Sequence, residues 1–564
     1  MNRSISHLPA GLDQRVAETL ERARRDRWIQ RLWGRDASLW TGADEARWLK
    51  WLDAGEGACV DMVALKAFQS EVRAAGFAHV LLLGMGGSSL GPEVLAQTFG
   101  SQAGFPQLLV LDSTDPDQIR RFHALIDPRS TLFVVSSKSG TTLEPDILQR
   151  HFWALAQGVL GPSAGAHFVA VTDPGSKLEE TAKAEGFRRV FHGEPEIGGR
   201  YSVLSNFGMV PAAAMGLDLD AFFASTREMV AACKGADANP GLELGCILGT
   251  AARDGQDKVS ILASRGLHDL GAWLEQLLAE STGKQGKALI PVDAEPAGPV
   301  SGYSRDRVFA YLRVEGHDEP ELDALADGLS EAGHPLVWID LPNRDSLGQE
   351  FFRWEVATAV AGAVMQLNPF DQPDVEASKV KTRALTDQYE QSGALAAETP
   401  LARDGAVALY ADAGNAQALG GSSVQACVEA LLRSVKPGDY VGILAYIDRS
   451  HPHIEALQRV RKRIRDRKQV ATVLGFGPRF LHSTGQAYKG GPNTGVFLQL
   501  TWDPPRDIPI PGRKYSFKVV EAAEARGDMQ VLVERGRRVM RLDLGPDVEA
   551  GLKWFADAID RALG

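Results

Sequence analysis

Short apolar runs recur along most of this chain, separated by stretches long enough for a helix. Val80–Leu83, Leu108–Leu111, Thr131–Val135 and Phe168–Val171 form a first set, bounded by Gly, Asp or Ser. Val259–Ala263, Ala288–Val292, Val308–Val314 and Leu336–Leu341 form a second. Val407–Tyr410, Tyr440–Tyr446, Ala471–Gly475, Gly495–Thr501 and Arg538–Leu544 form a third. An unbroken apolar run suits a strand covered on both faces, and helix-length spacing suits crossover connections between parallel strands. The expected class is therefore α/β, with doubly wound parallel sheets. A length of 564 residues allows about three or four domains. The pattern divides the chain into an amphipathic helical segment over residues 1–75 and α/β domains over 76–215, 216–392 and 393–564. Gln391–Pro400 reads as a linker before the last of these.

The run Thr131–Val135 leads into Ser136-Ser-Lys-Ser-Gly-Thr-Thr142 and then a helical pattern from Leu143. Five hydroxyls and a glycine between a strand and a helix N-terminus make an anion cradle. Backbone N–H groups and the positive end of the helix dipole converge there. The G-x-x-x-x-G-K-[ST] arrangement is lacking, so a phosphate ester fits better than a nucleotide triphosphate. Val80–Leu83 similarly runs into Gly84-Met-Gly-Gly-Ser88, where glycines let a ligand approach the backbone. Ser89 stands where a dinucleotide fingerprint needs its third glycine. The tetrad Gly86–Ser89 recurs as Gly420–Ser423.

Gly198-Gly199-Arg200 aims a permanent cation from a flexible turn, a group able to stabilise an oxyanion. Gln276 and Glu280 lie four apart on a helical pattern that stops at Ser281-Thr-Gly283, so they share a face. A carboxylate there could carry a proton between two carbons, with Glu275 as the competing acid.

The formal net charge is −11, which argues against nucleic acid or an anionic membrane as partner. The basic run Arg459–Lys468 reads as the solvated face of a helix. Four scattered cysteines have no metal-ligand spacing and suit a reducing compartment, and no run reaches the length of a membrane span. These features point to a cytoplasmic location.

Taken in order, Gly84–Ser88, Ser137–Thr142, Gly199-Arg200 and Glu280-Ser-Thr-Gly-Lys284 resemble glucose-6-phosphate isomerase. Asn368-Pro-Phe-Asp-Gln-Pro-Asp-Val-Glu-Ala-Ser-Lys379 resembles the same family's C-terminal signature, with Asp374 where glycine is usual. The resemblance spans roughly residues 75 to 385. It implies tandem sugar-isomerase (SIS) type domains and conversion of an aldose phosphate to a ketose phosphate in glycolysis and gluconeogenesis. It implies that Ser137, Ser139 and Thr142 bind the substrate phosphate, with Lys138 and Thr141 in the same loop. Gly87 and Ser88 match positions lining the sugar pocket. Arg200, with the Gly199 backbone, matches the group facing an enediolate, and Glu280 matches the base. Gln276 matches a substrate-contacting glutamine, and Gln372 and Lys379 match signature residues near the sugar ring.

The family's ring-opening histidine has no match between the glutamate and lysine motifs, where only His317 and His334 occur. Leu481-His-Ser-Thr-Gly-Gln486 resembles a bacterial isomerase segment and makes His482 the candidate, with Lys489 as a secondary one. A histidine in that place is similar to the isomerase half of fused transaldolase/glucose-6-phosphate isomerase proteins. The expected partners are a small sugar phosphate and a second copy of the chain. No metal or redox cofactor is expected, because hydrogen moves as a proton. The competing reading is a SIS-domain protein that binds sugar phosphates without catalysis. Such regulators usually carry a DNA-binding helix-turn-helix and a basic surface, and neither is evident here.

Overall fold

A computed structural model describes every residue of the chain except 268 and 318. It gathers into two compact units. One comprises residues 1–112, 125–282 and 308–371, and the other 113–124, 283–307 and 372–564.

The first unit holds two sheets. The first has five parallel strands in the order Gln107–Leu111, His79–Leu83, Thr131–Ser136, Phe168–Thr172, Arg189–His192. The chain starts at His79–Leu83, adds a neighbour on one side, then returns to add Thr131–Ser136 on the other. The carboxyl ends of these two strands are thus the topological switch point, where open α/β sheets bind ligands. The centres of both strands, Val80–Leu83 and Leu132–Val135, are unbroken apolar runs because helices cover both faces, and Val80–Leu83 are fully buried.

In the second sheet Arg3–His7, Leu336–Leu341, Arg307–Val314 and Lys258–Ala263 lie side by side in that order. Arg3–His7 corrects the expectation of helix alone before residue 76. It pairs antiparallel with Leu336–Leu341 at the sheet edge, and all five of its residues are exposed. An exposed edge strand carries no apolar alternation to announce it. The strand is anchored by its predecessor. Asn2 donates to Gln349 Oε1 and Glu350 Oε1, both at 2.8 Å, and its carbonyl accepts from Arg353 at 2.8 Å.

The helix Leu347–Met365 is buried along its whole length. The helix Pro240–Arg253 reaches it through Gly241, Gly245 and Gly249, spaced one turn apart. A Cβ at these positions would lie 2.6 Å from Val356, 2.5 Å from the Ala357 carbonyl and 2.6 Å from Val364, respectively. Only glycine permits that closeness.

The second unit is built on a six-stranded sheet. Its order is Ala402–Asp404, Val407–Tyr410, Arg538–Asp543, Gly495–Thr501, Tyr440–Ala445, Ala471–Phe476. The last four strands are parallel, and Val407–Tyr410 pairs antiparallel with its neighbour on each side. Its core includes Val441, Ile443, Leu498, Leu457, Val460 and Phe555. The basic run lies on the helix His451–Lys468, but Arg461 and Arg465 are fully buried, which corrects the solvated reading. The Arg461 guanidinium donates to the Thr472 carbonyl at 2.6 Å, and Arg465 donates to the Pro296 carbonyl and lies over the Tyr303 ring. Long apolar stems and planar heads tolerate such burial when every donor side finds an oxygen. The recurring tetrad is helix punctuation: Gly420 ends one helix in the left-handed region and Ser423 caps the next.

Gln486 ties this unit's chemistry-bearing segments together. Its Oε1 accepts from Asp374 N at 2.9 Å and Val375 N at 3.1 Å, capping the helix Pro373–Ser392. Its Nε2 donates to the Gly283 carbonyl at 2.8 Å and to Asp374 at 3.0 Å. Gln486→Ala should lower stability by about 1–3 kcal/mol, read by denaturant titration.

Asp115 accepts from Gln118 N at 2.7 Å and Trp502 Nε1 at 3.0 Å. Burial pushes its carboxyl up to about 6, against the Gln118 and Trp502 bonds and with help from Asp448. An acid held above its unfolded value of about 3.9 stabilises the fold in its protonated form. That contribution fades as pH rises from about 4 through about 6. Thermal unfolding of the chain and of Asp115→Asn at about pH 5 and about pH 7.5 should show the wild type gaining relative to the variant at the lower pH.

Candidate active site

Two loops leave the first sheet at its switch point. After His79–Leu83 the chain turns tightly through Gly86–Ser88, and after Thr131–Ser136 it passes through Ser137–Thr142 into the helix Leu143–Leu160. The loops are neighbours. A Cβ at Gly84 would lie 3.1 Å from the Ser136 carbonyl oxygen.

Ser137 is 5% exposed, and its Oγ has no hydrogen-bond partner within the protein. A buried hydroxyl so placed is a donor awaiting an acceptor. Ser139 Oγ and Thr141 Oγ1 lie 2.9 Å apart at the exposed lip, and Thr141 N donates to Ser139 Oγ at 3.3 Å. Gly140 takes a φ of 67°, and a Cβ there would meet the Leu178 amide at 2.4 Å. Thr142 stands at the helix N-cap with its hydroxyl uncommitted to capping.

Lys138 points elsewhere. Its ammonium binds Asp173 at 2.5 Å and the Glu194 and Pro195 carbonyls at 3.2 Å. It braces the loop against the next strand end and leaves the hydroxyls and amides to face an anion.

The first turn reaches the arginine. A Cβ at Gly87 would sit 2.0 Å from the Gly199 carbonyl oxygen. The Gly86–Ser88 and Gly199–Tyr201 turns therefore press backbone to backbone, and Ser88 is buried beside them. Arg200 is 2% exposed, and all three guanidinium nitrogens are held. Nε donates to Ser281 Oγ at 2.8 Å, Nη1 to Glu280 Oε2 at 3.3 Å, and Nη2 to the Pro369 carbonyl at 2.8 Å and the Asp371 carbonyl at 3.2 Å.

Glu280 and Gln276 share a face of the helix Leu270–Thr282, and Gln276 Nε2 donates to the same Glu280 Oε2 at 3.3 Å. Both side chains are buried, and Gln276 Oε1 has no partner. A carboxylate near a helix C-terminus faces the unfavourable end of the dipole, and the Arg200 cation offsets it. Behind them Tyr201 packs between Trp51 and Phe370, with ring centroids at 5.1 and 5.3 Å. Burial pushes the Tyr201 phenol up, so it stays neutral beside the pair. A continuous path thus runs from the hydroxyl loop through Gly84, Gly87 and Gly199 to Arg200 and Glu280.

Ser281, in the segment Glu280–Lys284, fixes the arginine's Nε, a contact its residue type does not announce. The Pro369 and Asp371 carbonyls left no residue-type signal at all.

The other candidates lie in the second unit. Gln372 immediately precedes the helix Pro373–Ser392, and Lys379 stands on that helix, partly exposed, with its ammonium 2.8 Å from Glu376. His482 is 9% exposed, on the turn Arg479–His482 next to that helix. Asp374, the departure from the family signature, accepts from Arg535 at 2.7 Å as well as from Gln486. Lys489 forms a wholly buried pair with Asp528 at 2.8 Å.

The family model for phosphoglucose isomerase matches residues 64–295. The chain is 31% identical over 367 residues to a glucose-6-phosphate isomerase of Rubrobacter xylanophilus, covering 56% of this chain and 83% of that protein. It is 30% identical over 351 residues to one from Thermus thermophilus, covering 54% and 82%. Among solved structures, a hypothetical protein of Thermus thermophilus superposes with a TM-score of 0.58 at 26% identity, covering 67% of this chain and 99% of that one. The chain belongs to the phosphoglucose isomerase family. The third sheet lies beyond the residues matched by the family model.

Gly87→Ala should force the two turns apart. A stability loss of about 1–3 kcal/mol is expected, together with a fall in turnover larger than any rise in KM. Denaturant titration and steady-state kinetics check it.

Proposed function

We propose that the chain interconverts glucose 6-phosphate and fructose 6-phosphate by carrying one proton between C1 and C2 through a cis-enediolate. The buried contact between Arg200 and Glu280 supports this reading most strongly. A base that must take a carbon-bound proton needs a fixed position, and a developing enediolate needs a fixed cation beside it.

In this scheme the Ser137–Thr142 loop holds the phosphate, through Ser137, Ser139, Thr141, Thr142 and the loop amides. Gly87, Ser88 and the Gly199 backbone line the sugar. Glu280 removes the C2 proton of the open-chain aldose, Arg200 stabilises the enediolate, and Glu280 returns the proton to C1. Gln276 orients the carboxylate. Lys379 and His482 are assigned to ring opening, with Gln372 near the ring hydroxyls, on the strength of their motifs.

We further propose the type of isomerase otherwise found joined to a transaldolase, on the strength of Leu481–Gln486 and the third sheet. A homodimer follows from the family resemblance and is checked by light scattering. Four free thiols suit a cytoplasmic location, and among the described residues no helix is long and apolar enough to cross a membrane.

The test is a coupled assay for glucose 6-phosphate formed from fructose 6-phosphate. Glu280→Gln keeps the volume and the Gln276 neighbour but removes the base, so kcat should fall about 10²–10⁴-fold with phosphate binding nearly unchanged. Arg200→Lys keeps the charge but loses the fork, and kcat should fall about 10²-fold. Wild-type turnover in Glu280→Gln would overturn the assignment.

A further inference from the structure

The second unit has a switch point of its own. The chain runs from Tyr440–Ala445 to Ala471–Phe476 on one side, then crosses back to Gly495–Thr501 on the other. Outside the carboxyl ends of Tyr440–Ala445 and Gly495–Thr501 lies a cavity of about 650 Å³, bordered by Tyr446, Thr501, Trp502 and Glu521. That volume is in the range of small-molecule sites, and the position is where such sheets bind ligands.

The floor is polar and buried. Glu521 is 4% exposed, and its Oε1 has no hydrogen-bond partner within the protein. Burial, with the nearby Asp115 and Glu524 carboxyls and a side-chain hydrogen bond to Asp115, pushes Glu521 well above the usual carboxylate range. Thr501 Oγ1 donates to Asp543 at 3.1 Å on the same rim. The Trp502 indole is oriented by its bond to Asp115 and offers an aromatic wall.

The mouth carries unbalanced charge. Arg526 and Arg541 converge on a single oxygen, Oε2 of Glu398, at 2.8 and 2.6 Å. Arg541 is buried and lies over the Tyr410 ring at 4.5 Å. Glu398 belongs to a stretch, residues 394–400, with neither helix nor strand, and its side chain is 35% exposed. Two guanidiniums share one carboxylate, and Glu398 is the most exposed of the three side chains. A second anion is therefore favoured there, and the first is displaceable. Lys518 and Asp503, paired at 2.5 Å, neutralise each other on the same rim.

We propose that this cavity binds a small polyhydroxylated anion, a sugar acid or a sugar phosphate, whose acid group takes the place of the Glu398 carboxylate between Arg526 and Arg541. Its hydroxyls meet Glu521 and Thr501, and its ring or chain lies against Trp502. The site is separate from the residues assigned to isomerisation and does not depend on that assignment.

The experiment is calorimetric titration of the full chain with D-gluconate, D-ribose 5-phosphate and inorganic phosphate, in wild type, Arg526→Gln and Glu398→Gln. Arg526→Gln should weaken the responsible probe about tenfold. Glu398→Gln removes the internal competitor and should tighten it about fivefold. Both variants should keep isomerase turnover and melting temperature near wild type. Binding of gluconate identifies the carboxylate class, and binding of ribose 5-phosphate with both variant effects identifies the phosphate class. Absence of binding by both sugars, affinities unmoved by the two variants, or inorganic phosphate binding as tightly as either sugar would each overturn the proposal.

Discussion

A guanidinium and a carboxylate withdrawn from water together cost solvation, and only a complete set of partners returns it. Arg200 and Glu280 have such a set: Ser281, Gln276 and two peptide carbonyls surround them. That requirement organises the first unit. The Pro369 and Asp371 carbonyls must arrive at the arginine, so the chain beyond the buried helix Leu347–Met365 is fixed in place. The aromatic packing of Trp51, Tyr201 and Phe370 keeps water from the rear of the pair. The same arrangement that makes the pair expensive to break keeps both groups aimed in one direction.

Glycine carries the positional accuracy. At Gly87 the missing Cβ lets one turn lie on another, so the loop of the first sheet and the arginine's turn move as one piece. At Gly241, Gly245 and Gly249 it lets two helices approach until side chains of one fill the backbone groove of the other. A site that must hold a phosphate at one end and a proton carrier at the other needs little play between them. Backbone contact gives less play than side-chain packing.

Much of this was legible before any coordinates. The three sets of apolar runs became three sheets because strands covered on both faces leave unbroken apolar signatures. The hydroxyl loop, Arg200, Gln276 and Glu280 stand out in the sequence because their residue types are unusual together at those spacings, and the last three meet in the structure. Arg3–His7 was hidden because an exposed edge strand leaves no periodic signature. Arg461 and Arg465 were misread because composition cannot distinguish a guanidinium facing water from one facing carbonyls. Lys138 lies in the hydroxyl loop, and its long stem carries the charge to Asp173.

By itself the amino-acid order determined the layer type and the hydroxyl-rich loop between a strand and a helix, since each follows from local chemistry and period. Only the tertiary structure decided that Lys138 braces the loop, that Ser281 and two peptide carbonyls hold Arg200, and that Asp374 is fastened by Gln486 and Arg535. These are contacts between segments far apart in sequence, formed where backbones meet, and a backbone carbonyl has no letter in the sequence to mark it.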